Sequence, residues 1–165
     1  MSVTIVLPRA VAERLRKKAR EEGVTLSEYV IELLSKELSP EDRAKEYIRT
    51  ALEITDQVLR EVERGDLRQI SERIWEAAAL AIKAYAYAIE GRRLINRGEL
   101  WQYKDRVARE IGDWIHDAWA HATEMHVNYY EGWATRETVE KAAKRVREMI
   151  EAILNKLERK LGEIK

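Results

Sequence analysis

The chain has only three histidines, and they stand in one stretch: His116, His121 and His126. Imidazole is a common metal ligand and the side chain that most readily moves protons near neutral pH. Two ligands sharing a helix face normally stand four residues apart. Here the spacing is five, about 140° of turn at 3.6 residues per turn, so neighbouring histidines face different directions. Asp117 and Glu124 add carboxylates, yet the arrangement matches no zinc signature, and no metal ligands are assigned. His126 is expected to pack beside Tyr129 and Tyr130, donating to a buried carbonyl or carboxylate. Cysteine is absent, which removes disulfides, thiolate zinc sites and thiol nucleophiles. Neither a Gly-rich phosphate loop, a Walker sequence nor a Ser/His/Asp arrangement is present, and no cofactor is expected.

The five tryptophans, at 75, 101, 114, 119 and 133, could act as stacking platforms for bases. Trp114 and Trp119 lie among acids, however, and aromatics at helical spacing are expected as core or dimer contacts. Lys+Arg and Asp+Glu are both 30, which argues against a globally basic nucleic-acid binder. The 165 residues fit one medium domain, or a small module joined to a larger one. Charged residues at 36% with few Asn and Gln point to a heat-adapted source. The longest apolar run, Ala77 to Ile82, is far short of the roughly 18 residues of a membrane span. A soluble, cytoplasmic protein without a leader is expected.

The elements that must position these residues begin with an alternation. Val3, Ile5 and Leu7 share one face of a predicted strand, and Ser2, Thr4 and Val6 the other. Pro8 ends it and opens a helix over 8–22, closed by Gly23. Thr25 and Glu28 fit a capping box for a second helix over 25–38. The lone strand finds no partner elsewhere in the chain, so its backbone groups require a second copy. Strand, helix, Gly turn and helix together resemble a ribbon-helix-helix module over residues 2–38. That resemblance implies an antiparallel strand pair across a dimer axis, with Val3, Ile5 and Leu7 at the interface. It also implies groove reading by the outward residues, of which Ser2 and Thr4 are polar, with a phosphate near the amides around Ser27. Residues 1–38 hold seven Lys/Arg against six Glu, a net of +1, so dimerisation is the first reading and operator binding the second.

From residue 39 to 165 the pattern is helical throughout. Ser39-Pro40-Glu41-Asp42 is a helix start, and Gly65-Asp66 is a connection short enough only for an antiparallel hairpin. Alanines in 77–86 predict close approach of a neighbouring helix. A basic loop spans Gly91–Gly98, a helix runs Glu99–Ile111, Gly112 breaks it, and another runs Asp113–Glu131. Thr135 caps a last helix whose stripe runs from Val139 to Leu157. The expected fold is mainly α: an up-down antiparallel bundle (39–165) preceded by a strand-helix-helix dimerisation module (1–38).

Two stretches carry a family likeness: Gly65 to Ala84, containing Ile74-Trp75-Glu76 and Lys83, and His126-Val127-Asn128-Tyr129-Tyr130-Glu131-Gly132. Both resemble the archaeal PaREP family, helical proteins related to HEPN bundles, the partners of nucleotidyltransferases. Leu100-Trp101-Gln102-Tyr103 fits the same family's third helix. The resemblance makes Trp75, Lys83, His126, Asn128, Tyr130 and Glu131 the motif residues. Where a His-Arg pair is expected before that helix, this chain reads Arg97-Gly98. HEPN ribonucleases carry an arginine and a histidine four to six residues apart, and Arg109 and His116, with six between, are similar. The likeness implies that Arg109 holds a phosphate while His116 acts as acid or base on a ribose hydroxyl. The leading expectation is a non-enzymatic homodimer acting through a protein or nucleic-acid partner. The alternatives are a ribonuclease toxin with a nucleotidyltransferase antitoxin, and a ribbon-helix-helix DNA regulator.

Overall fold

The structure, a computed structural model, describes residues 3–164. Within them seven helices follow one another: α1 (Arg9–Glu22), α2 (Leu26–Leu34), α3 (Pro40–Glu61), α4 (Leu67–Glu90), α5 (Arg97–Ile111), α6 (Trp114–Glu131) and α7 (Arg136–Leu161). Local chemistry explains most of the starts. The side chains of Thr25, Ser39, Asp66, Asn96 and Thr135 each accept a hydrogen bond from a first-turn amide of the helix that follows. At Asn96 the box is reciprocal with Glu99, so α5 starts at Arg97, earlier than its apolar stripe suggests.

Helix α4 is the centre of the molecule. It is buried nearly all round and packs against α3, α5, α6 and α7. Ala77, Ala78, Ala81 and Ala84 are fully buried, and such small side chains admit neighbouring backbones closely. The α3–α4 hairpin turns at Gly65, where an added Cβ would lie 2.6 Å from Ile70 Cδ1 and 2.9 Å from the Glu61 carbonyl. Gly112 separates α5 from α6 at φ 152°, with the Trp114 indole against it, so a side chain there would be strained and would press on the indole.

The N-terminus departs from expectation. No strand occurs among the described residues, and the strand-helix-helix module is not formed. Val3 and Ile5 are 80% and 78% exposed and Leu7 44%, so the three proposed interface residues form no buried ladder. The reason is that strand geometry is held by a ladder partner, and residues 3–7 find none within the chain. The groove-reading face of Thr4 and Val6 disappears with the strand, and Ser2 lies outside the described residues. The alternation of residues 2–7 is real in the sequence, but alternation without a partner does not make a strand. Helix α1 packs against α2, and α2 rests lightly on α3.

Candidate functional site

Residues from three helices, Trp75 of α4, Arg97 of α5 and His126 of α6, meet in one cluster. Trp75 stacks on Trp119 and on the His126 ring, with centroids 5.0 and 5.1 Å apart. Arg97, at the start of α5, lies 5.9 Å over the Trp75 ring and places Nη2 2.9 Å from His126 Nε2. Arginine only donates, so Nε2 accepts and the ring proton sits on Nδ1. That proton points to Glu72 Oε2 at 2.8 Å, and the imidazole is fixed from both sides. His126 does meet a carboxylate, and Tyr130 packs edge-on against its ring.

Lys83 stands two turns further along α4. Its Nζ donates to Glu28 Oε2 of α2 at 2.5 Å. Around that pair, Tyr47 Oη lies 2.5 Å from Glu32 Oε1 and Tyr87 Oη 2.6 Å from the same oxygen, while Arg93 stands 3.6 Å from Glu28. Burial, then the Glu28 and Glu32 carboxylates, drives the Tyr47 hydroxyl far above its ordinary value. Burial and the Glu32 carboxylate push Tyr87 up to about 12. These tyrosines therefore serve as donors to carboxylates.

Between the two groups lies a cavity of about 120 Å³, walled by the α1–α2 turn, the middle of α4 and the start of α5. Trp75, Lys83 and Arg97 reach it, and so does Glu76, whose buried Oε1 has no hydrogen-bond partner. Burial raises the Glu76 carboxyl above the usual carboxylate range, against the hydroxyls of Thr25 and Ser27, which hold it down. Thr25 and Ser27, at the start of α2, thus face a carboxyl of α4. Glu72 and Glu76 were missed in the sequence, and Glu28, expected to complete a capping box, turns its carboxylate to Lys83 instead. The available signal was a pair of acids four residues apart, with a tryptophan between them, just before the alanine-rich part of the helix.

Arg109 and His116 occupy a different place, at the α5–α6 break. His116 Nδ1 lies 2.9 Å from Lys104 Nζ, and Lys104 lies over the Trp101 ring. The Lys104 ammonium holds Asp105 below its ordinary value, with His116 and Arg109 adding to the effect. No hydrogen bond or ion pair joins Arg109 to His116 among the described residues. His121 sits 3.9 Å from both Asp117 and Glu124, so the three histidines have three separate settings. Among the described residues no group of three or more His, Asp or Glu could hold a metal ion. Asn128 is buried, donating to Ser71 Oγ at 2.9 Å and accepting from the Ala134 amide at 2.7 Å, whereas Glu131 is exposed at the end of α6.

A helical bundle wrapped on one alanine-rich central helix, with a tryptophan–histidine–arginine cluster against that helix, defines the class. The chain belongs to the archaeal PaREP1/PaREP8 family, whose model matches residues 43–150. That span holds α4 to α6 whole, and with them Trp75, Lys83, Arg97 and His126. No curated protein and no solved structure matches the chain. No helix among the described residues is long and apolar enough to cross a membrane.

Proposed function

We propose that the protein is a non-enzymatic homodimer that works through a protein or nucleic-acid partner. The observation that carries this reading is where the apolar surface lies. Of the fourteen large apolar side chains exposed among the described residues, nine lie in residues 3–38, less than a quarter of the chain. They run from Val3 through Val11 to Leu33, Leu34 and Leu38. Exposed apolar surface so concentrated marks an interaction face. A second copy of the chain is its simplest occupant, because a two-fold contact closes on itself and leaves no further apolar surface. Sedimentation at micromolar concentration tests it: a dimer is expected, and a monomer overturns the reading.

A second reading, a HEPN-type ribonuclease toxin, rests on the setting of His116. Lys104 donates to its Nδ1 and leaves the ring proton on Nε2. Trp101 beside Lys104 offers a base a stacking surface, and Arg109 a phosphate contact. Incubation of the pure protein with total RNA separates the two. Cleavage abolished in His116→Ala would replace the first reading by the second, and intact RNA across salt conditions supports the first.

A further inference from the structure

We infer that the cavity between the α1–α2 turn, α4 and α5 is a binding site for a small zwitterion of the ω-amino acid class, an ammonium and a carboxylate joined by a short methylene chain. Its volume, about 120 Å³, compares with the roughly 150 Å³ cavity that holds a benzene molecule, which sets the size of the ligand. The polar lining is split in charge. Glu76 offers a buried oxygen with no partner, an acceptor for an ammonium group. Lys83 donates to Glu28 alone among the described residues, so two of its three protons remain for a carboxylate.

Glu76 and Lys83 stand seven residues apart on α4, about 10 Å along its axis, and both side chains reach the one cavity. A ligand lying along the helix meets an anion at one end and a cation at the other. Val24, Leu80 and Leu100 supply apolar wall for the methylene chain. A simple amine would meet the field of Lys83 and Arg97, and a simple anion the carboxyl of Glu76. Only a molecule with both charges satisfies both ends. Because the walls come from α2 as well as from α4 and α5, such a ligand would clamp the N-terminal helices onto the bundle.

Titration calorimetry and thermal melting of the full chain with β-alanine, 4-aminobutyrate and 5-aminopentanoate test the site, with methylammonium and acetate as single-charge probes. Saturable binding of at least one amino acid, with a raised melting temperature, is expected, and neither single-charge probe should match it. Glu76→Gln keeps the shape but removes the charge, and should weaken binding by at least about tenfold. Ala79→Met fills the cavity from its wall and should abolish binding while the protein still melts cooperatively. No saturable binding of any of these up to about 10 mM overturns the inference, a limit far above any useful affinity. So does methylammonium or acetate binding as tightly as the amino acid, or unchanged affinity in Glu76→Gln.

Discussion

Glu28 Oε2 lies 2.5 Å from Lys83 Nζ across 55 positions of sequence, tying α2 to the central helix. The side chains are 3% and 11% exposed, so both charges are removed from water and depend on each other. Lys83→Met leaves the Glu28 carboxylate buried against Arg93 and Tyr47 alone. Urea unfolding should show a loss of about 3–5 kcal/mol. Adding Glu28→Leu removes the stranded charge and should recover most of that loss. A single variant as stable as the parent would mean that the pair stands in water.

The Glu76 carboxyl gives a pH dependence of defined sign. Its folded-state value is raised from 4.5 by burial, more than Thr25, Ser27 and Arg73 lower it, with Glu72 adding to the rise. As pH climbs past 4.5 the unfolded chain loses this proton first, so folding stability falls until the raised value is passed. Above that the deficit is constant. Glu76→Gln cannot lose a proton, so its melting temperature should pull ahead of the parent's as pH rises through that window. Curves that stay parallel from acid to neutral pH would contradict the burial.

The helices were legible because their ends carry chemistry. Ser39-Pro40, Gly65-Asp66 and Thr135 are signals that a few residues decide locally, and the structure places caps at each. Lys83 was legible only as a motif residue, Trp75 also as an aromatic at helical spacing, and His126 as a donor packed beside tyrosine. What they touch depends on how α4, α5 and α6 pack, which no local spacing encodes. Arg97 appeared as a departure from the family pattern, yet it fixes the His126 ring through Nε2. Residues 3–7 show the opposite case, where a clear local pattern is not enough. A strand is a relation between two segments, and one segment carries half of it.

Asn128 should behave as a structural residue. Its amide joins Ser71 of α4 to the Ala134 backbone, closing the turn between α6 and α7. Asn128→Leu keeps similar bulk and leaves the Ala134 amide without its acceptor. The expected cost is about 1–3 kcal/mol, with lost hydrogen-exchange protection at that amide. Unchanged protection there would show that water replaces the side chain.

The proposed dimer can be mapped by charge. Val6 is 91% exposed and Leu34 79%, so a lysine at either position costs the monomer little. If each is covered by a second copy, the same lysine must be stripped of water in the interface. Val6→Lys or Leu34→Lys should then weaken association by about thirtyfold or more, equivalent to roughly 2 kcal/mol. Ile95, 69% exposed in the connection before α5, is the control, and Ile95→Lys should leave association unchanged. Sedimentation equilibrium over a concentration series reads all three, and circular dichroism confirms that helicity is kept. Dissociation by Ile95→Lys alone would move the interface from residues 3–38 to the bundle.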